Sequence, residues 1–200
     1  MTDIFFMKLT ENILKALNFS ADKHFGQKRK SSKLPYIVHP FSVAIILSNY
    51  TSDEDIIVAG LLHDVIEDVE GCGYEDLKKY FGEKVADIVQ GISENKEAYE
   101  GVSDRESWQD RKEEYIENLK NDSLESLLIC AADKIHNLRS MMMIYKEQGD
   151  AMWSDYNAPL EKQIWYYDAV LKILKEKLDS EIVGELEENF EEFKRTMNLY

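Results

Sequence analysis

Only two of the 200 residues are cysteine, Cys72 and Cys130. That is too few for a disulfide framework, and neither sits in a C-x-x-C or Cys-His metal pattern, so both read as free thiols. Proline occurs three times and glycine nine. No alternating Val/Ile/Thr run is bounded by Asn-Gly or Asp-Gly, so strands and hairpins have almost no signal. No stretch approaches the roughly 20 apolar residues of a membrane span. The short apolar run Ile4-Phe5-Phe6-Met7 follows Asp3 and precedes Lys8 and Glu11, which rules out a signal-peptide core. The expected location is therefore cytoplasmic. Positive charge is also in deficit, with Lys+Arg 24 against Asp+Glu 39 and a net charge of −15. That balance excludes a general surface for nucleic acid polymers or anionic membranes. Against it, the segment from Lys23 to Lys33 holds Lys23, Lys28, Arg29, Lys30 and Lys33 without an acidic residue, a local anion site.

What remains is helical periodicity, and the expected fold is all-α. Leu9, Ile13, Leu14 and Leu17 mark a first helix that runs into a second helical piece near Ala21 to Lys28. Ser31 to Pro35 reads as a loop, and Pro40 in a first turn starts a helix to about Asn49. Ser52 or Asp53 is placed to cap the next helix. Gly82 divides helices at Tyr74–Phe81 and Glu83–Ile92, and the polar stretch from Ser93 to about Ser107 is a candidate mobile loop over a site. Trp108, Tyr115, Ile116 and Leu119 mark another helix. A long helix follows from a cap at Asp122 or Ser123 through Met142, with two more at Ile164 to Leu178 and Ile182 to Met197. Residues 1–179 form one expected unit, with an acidic C-terminal helix over 180–200 packed on it or extending from it.

The stretch Ala59-Gly60-Leu61-Leu62-His63-Asp64-Val65-Ile66-Glu67-Asp68 organises this pattern. On one continuous helix, His63 and Glu67 lie four residues apart, as do Asp64 and Asp68, with apolar residues covering the other faces. Buried carboxylates are costly unless paired, protonated or metal-bound, so the stretch predicts a site. His39, His63, Asp64 and Asp133 are candidate ligands. A mixed His and carboxylate set suits Mn2+, Fe2+ or Zn2+ better than Mg2+ or Ca2+. Read singly, His39 also fits a turn histidine, and Asp133 an ion pair with Lys134 or Arg139.

His39, adjacent His63-Asp64 and distant Asp133 resemble the H…HD…D signature of HD-domain metal-dependent phosphohydrolases. The blocks His24-x-Gly26-Gln27-x-Arg29-Lys30, Pro35-Tyr36-Ile37-x-His39-Pro40, Gly60-Leu61-Leu62-His63-Asp64-x-x-Glu67-Asp68 and Ala132-Asp133-Lys134-x-His136-Asn137-Leu138-Arg139 are similar to the hydrolase domain of RelA/SpoT-type alarmone enzymes and their small single-domain relatives. The resemblance spans about His24 to Arg139. It implies an HD-domain helical bundle with Mn2+ held by His39, His63, Asp64 and Asp133, Fe2+ or Zn2+ being possible. It further implies 3′-pyrophosphohydrolysis of guanosine tetra- or pentaphosphate, with Glu67 and Asp68 near the water and leaving group. Arg29, Lys30, Asn137 and Arg139 would bind the nucleotide, and His24 and His136 would be supporting residues.

Two features separate the chain from the long alarmone enzymes, and a third separates it from its small stand-alone relatives. Four residues, Ser31 to Leu34, fill a loop that there usually has three with a central glycine. Trp108-x-x-Arg111-Lys112-x-x-Tyr115 and Gln163-Ile164-Trp165-Tyr166-Tyr167 are similar to a bacterial branch of small stand-alone HD proteins. In that branch an arginine commonly follows the Trp-Tyr-Tyr, where this chain has Asp168. Trp165, Tyr166 and Tyr167 read as core rather than as a base pocket. The function expected is alarmone hydrolysis. Hydrolysis of another nucleotide phosphoester, or a non-catalytic nucleotide-binding module, stands as the alternative.

Overall fold

The computed structural model describes residues 8–199, with the Glu97 side chain left aside; the apolar run Ile4 to Met7 lies outside the described residues. Among those residues there is no strand, only an isolated antiparallel bridge between Lys28 and Pro35. The helices are α1 (Glu11–Lys23), α2 (Val38–Leu47), α3 (Glu54–Leu62), α4 (Val65–Asp68), α5 (Tyr74–Phe81) and α6 (Glu83–Ile92). Then come α7 (Trp108–Leu119), α8 (Leu124–Gln148), α9 (Leu160–Lys177) and α10 (Glu181–Thr196). Short 3-10 turns stand at Lys96–Tyr99 and Gly149–Asp155. No helix among the described residues is long and apolar enough to cross a membrane.

α8 is the axis of the bundle. Leu127, Ile129, Ala131, Ala132, Ile135 and Leu138 are buried around its circumference, so it packs against α2, α3, α6, α9 and α10. Ser123 caps it by accepting from the Ser126 N–H at 3.1 Å, and Gly149 ends it at φ +58°. α10 lays Leu186, Phe190 and Phe193 against the rest, with Phe190 and Phe193 near the ring of Tyr167 on α9. Both cysteines are free and buried.

α3 crosses α2 closely, and this crossing sets the distance between their histidines. Every residue from Ile56 to Leu62 is buried. A Cβ at Gly60 would stand 2.4 Å from Leu47 Cδ1 and 3.7 Å from Val43 Cγ1, so only glycine admits this approach without repacking. Gly60→Ala is expected to cost about 1–3 kcal/mol by overpacking. A drop in the urea midpoint at unchanged m value is the test.

Two sequence expectations are corrected here. The stretch from Ala59 to Asp68 is not one helix: α3 ends at Leu62, His63 and Asp64 form a turn, and α4 restarts at Val65. The His63 ring bonds through Nδ1 to the Gly60 carbonyl at 2.9 Å, the acceptor that a continuing helix would give to the Asp64 N–H. The expected helical piece from Ala21 to Lys28 is absent as well. α1 stops at Lys23, Gly26 turns the chain at φ +82°, and the strand-like arms around Lys28 and Pro35 are tied by Arg29 N–H to Leu34 O and Tyr36 N–H to Gln27 O. Ser31 and Lys33, both at positive φ, close the loop between them.

Candidate metal centre and nucleotide cavity

α2 delivers His39, the α3–α4 turn delivers His63 and Asp64, and the middle of α8 delivers Asp133. His39 Nε2 lies 3.1 Å from His63 Nε2, 3.3 Å from Asp64 Oδ2 and 3.1 Å from Asp133 Oδ1. His63 Nε2 lies 3.2 Å from Asp64 Oδ1 and 3.9 Å from Asp133 Oδ1. Donors bonded at about 2.1 Å to one ion stand roughly 3–3.5 Å apart, so His39, His63 and Asp64 fit a divalent cation, and Asp133 flanks them on the His39 side. The outward ring nitrogens support this: Nδ1 of His63 is engaged by Gly60 O, and Nδ1 of His39 faces Nδ1 of His136 at 2.7 Å. Each ring is thereby held with Nε2 turned to the common centre. Two such lone pairs facing one another at 3.1 Å repel unless a cation or a proton lies between them.

The electrostatics follow from this crowding. Burial raises the Asp64 carboxyl and the Asp133 carboxyl, yet both end well below the usual range. His63 and His39 outweigh burial at Asp64, and Lys134 and His39 do so at Asp133. Burial lowers His63, while at His39 the hydrogen bonds to Asp133 and Asp64 overcome burial and raise it. Burial, with His39 and Arg29 close by, lowers His136 to about 3, so it is a neutral acceptor for the His39 N–H.

Glu67 and Asp68 occupy α4, beside the cluster. Burial pushes the Glu67 carboxyl up to about 7, helped by Glu94 and Asp68 and opposed by Lys96. Lys96 Nζ stands 3.1 Å from Glu67 Oε1 and 2.5 Å from Asp68 Oδ1, and the Glu94 N–H donates to Glu67 Oε2 at 3.3 Å. The Tyr36 hydroxyl lies 2.7 Å from Asp64 Oδ2 and 2.8 Å from Asp68 Oδ2, so a single proton is shared between a cluster carboxylate and the α4 pair. Tyr36→Phe should lower turnover by about 10- to 100-fold with the fold intact, because it releases both carboxylates. Steady-state kinetics together with a circular dichroism melt would check this.

The cluster opens into a cavity of about 650 Å³, within the size range of small-ligand sites. On one wall, Arg29 donates to Asn137 Oδ1 at 2.7 Å and stands 5.6 Å from the Tyr36 ring centroid, while Asn137 Nδ2 donates to Asp133 Oδ1 at 2.5 Å. Lys30 and the Ser31 to Leu34 loop edge the same cavity, and the segment from Ser93 to Ser107 brings Glu94, Lys96 and Asp104 to it. Arg139 is not brought to the cavity. It bonds Asn189 Oδ1 at 2.9 Å and Glu185 Oε1 at 2.7 Å on α10, because two residues along α8 from Asn137 is a different face. His24 bonds Gln27 Oε1 and stacks on Tyr36, a support for the Arg29 loop. Asp168 is exposed and does not line the cavity; Tyr166 and Tyr167 are core residues that also reach its wall.

Sequence reasoning missed the roles of Tyr36, Glu94 and Lys96, while the ion pair it offered between Asp133 and Lys134 is formed at 2.5 Å. Tyr36 lies beside Pro35 in the segment leading to His39, but its two carboxylate partners, Asp64 and Asp68, come from distant positions. Lys96 pairs with Glu67 and Asp68, while Arg111 and Lys112 pair with Glu94, contacts that no local spacing encodes.

A sequence profile of the HD domain family matches residues 16–154. The chain belongs to the HD domain family. It is 36% identical over 135 residues to the guanosine-3′,5′-bis(diphosphate) 3′-pyrophosphohydrolase MESH1 of Danio rerio, covering 66% of this chain and 70% of that one. It is 37% identical over 126 residues to the bifunctional (p)ppGpp synthase/hydrolase SpoT of Escherichia coli K12, covering 60% of this chain but only 16% of that longer one. A solved structure described as a metazoan ortholog of SpoT that hydrolyzes ppGpp superposes with a TM-score of 0.75 at 27% identity. It covers 98% of this chain and all of that one. A Listeria monocytogenes EGD-e structure gives a TM-score of 0.63 at 32% identity, covering 82% and 94% of the two chains.

Proposed function

We propose that the chain is a metal-dependent phosphohydrolase that removes pyrophosphate from the 3′ position of guanosine tetra- or pentaphosphate in the cytoplasm. Residues 1–179 are the hydrolase unit and the acidic helix over 180–200 its support. The observation that carries this reading is the convergence of His39, His63, Asp64 and Asp133 beside the Glu67–Asp68 pair, on a cavity walled by Arg29, Lys30 and Lys96. The names of the MESH1 and SpoT relatives supply the substrate.

His39, His63, Asp64 and Asp133 would hold the ion, Mn2+ by preference for a mixed nitrogen and oxygen set, with Fe2+ or Zn2+ also suited. When bound, such an ion polarises a phosphoryl oxygen and lowers the pKa of water. Glu67 accepts a proton from the attacking water, a task matched to a carboxyl poised near neutral pH. The new bond joins water oxygen to the phosphorus next to the ribose, the bond from that phosphorus to O3′ breaks, and O3′ takes up a proton. The products are pyrophosphate and GDP from the tetraphosphate, or pyrophosphate and GTP from the pentaphosphate. Asp68, linked to Asp64 through Tyr36, orients the attacking group. Arg29 offers a planar guanidinium to base or phosphate, with Asn137 steadying it, and Lys30 adds a point charge. A pure binding module has no need of a near-neutral carboxyl beside its metal.

Product analysis of guanosine tetraphosphate incubated with Mn2+-loaded protein tests the reading. GDP and pyrophosphate should appear with metal and be absent after chelation. Intact nucleotide, alongside hydrolysis of a different phosphoester in a parallel panel, would reject the substrate while keeping the chemistry.

A further inference from the structure

The same cavity is also lined by residues of α7, α8 and α9, and this part of it, here called the chamber, is left unused by the step described above. Lys134 is buried there. Its ammonium donates to Asp133 Oδ2 at 2.5 Å and otherwise lies against two aromatic faces, 5.2 Å from the Tyr115 centroid and 5.3 Å from that of Tyr166. Lys112 bonds Glu94 and stands 4.8 Å from the Tyr166 centroid. Each ammonium has three donors, and the carboxylate bonds just named use one apiece. The Tyr166 hydroxyl, on a residue 3% exposed, lies beside the Lys134 ammonium and has no acceptor for its own proton. Buried donors without acceptors are unfavourable, so this wall is built to meet an acceptor-rich group.

The charge agrees with that geometry. Arg111, Lys112 and Lys134 face the chamber, and Glu94, which takes bonds from both Arg111 and Lys112, is the buried carboxylate that answers them. Asp133 turns one oxygen to Lys134 and the other to His39, while Asp104 sits at the exposed rim, 3.8 Å from Arg111. An ion at the cluster would draw on the Asp133 charge and leave Lys134 less neutralised. The chamber also adjoins both flanks of the reaction centre, Asp133 through Lys134 and Glu67 through the Glu94 N–H.

We propose that this chamber is an anion subsite, with Tyr166, Lys112 and Lys134 donating to the 3′-diphosphate group of the substrate and to the pyrophosphate it becomes. The chamber chemistry selects a phosphate-type polyanion; its identity as pyrophosphate rests on the alarmone reading. Arg29 and Asn137, which reach Asp133 through its other oxygen, are left to the nucleoside.

Inorganic pyrophosphate is the probe, titrated calorimetrically into the full-length, Mn2+-loaded protein, with GDP titrated in parallel. Tyr166→Phe, which removes a single oxygen from a buried ring, is expected to weaken pyrophosphate about tenfold, and Lys112→Met at least as much. Both should leave GDP within about twofold, and Arg29→Met should show the reverse pattern. Circular dichroism melts establish that each variant is folded. Unchanged pyrophosphate binding in both variants, or an equal loss of GDP binding, overturns the subsite. If pyrophosphate binding depends on Lys112 and Tyr166 while guanosine tetraphosphate is left intact, the subsite stands and the substrate reading falls. Alarmone hydrolysis with pyrophosphate binding indifferent to these residues removes the subsite alone.

Discussion

Asp64→Asn is expected to reduce hydrolysis of guanosine tetraphosphate by roughly 10³-fold or more and to weaken the metal by a large factor. Asp64 places one oxygen 3.2 Å from His63 Nε2 and the other 3.3 Å from His39 Nε2, so it spans both histidine donors. The amide keeps the shape and loses the anion. It also puts an NH2 where the cluster needs a lone pair, or else turns that NH2 toward the Tyr36 hydroxyl, which now donates to Asp64 at 2.7 Å. Metal content after dialysis, together with initial rates at saturating Mn2+, separates the two losses. If the variant retained both its metal and its rate, Asp64 would not be a ligand. Asp133→Asn is a poorer choice, because it also leaves the buried Lys134 ammonium without its carboxylate.

Glu67→Gln should act in opposite directions on activity and stability. The rate is expected to fall by about 10²–10⁴-fold, the usual contribution of a positioned acid or base. In metal-free protein the same change should stabilise the fold at alkaline pH. The Glu67 carboxyl moves from an ordinary 4.5 to about 7, with burial as the main cause and Glu94 and Asp68 adding to it against Lys96. Between those values the folded state holds a proton that the unfolded chain has released, so stability falls as pH rises from about 4.5 to about 7 and then levels off. Glutamine mimics the protonated form and removes that slope. The variant should exceed its parent by on the order of 3 kcal/mol at pH 8 and match it near pH 4.5. Urea titrations of chelated protein at the two pH values measure this. A parent that gains stability through that window would mean that Glu67 is an ordinary surface carboxylate. Loss of rate with gain of stability is the expected signature of a group held in an unfavourable environment for its chemistry.

Much of the bundle was legible in the sequence because its helices carry strong local signals. Gly82 separated α5 from α6 where expected, Ser123 proved to be the cap of α8, and Asp53 that of α3, accepting from the Asp55 N–H at 2.9 Å. The Ala59 to Asp68 stretch failed as a single helix because a side chain, His63, takes the carbonyl that the backbone would have used. Propensity has no term for that competition. The hairpin-like turn around Lys28 and Pro35 escaped for a similar reason: its lysines and serines look helical or loop-like locally, while Gly26, Ser31 and Lys33 at positive φ decide its course.

By itself, the sequence determined the class of fold and singled out candidate residues for metal and acid-base chemistry, since residue type and local spacing are written directly in the chain. It also placed Arg29, Lys30 and Asn137 among the candidates that the cavity gathers. Tertiary structure alone decided which of them meet. The closeness of α2 and α3 at Gly60 brings His39 to His63, and the angular position of each residue on α8 sends Asp133 and Asn137 inward and Arg139 to α10. The electrostatic setting of Glu67 depends on Glu94 and Lys96, and that of the far chamber on Lys112, Lys134 and Tyr166. Burial and through-space charge are properties of the packed chain, and they vary with distances that no linear pattern records.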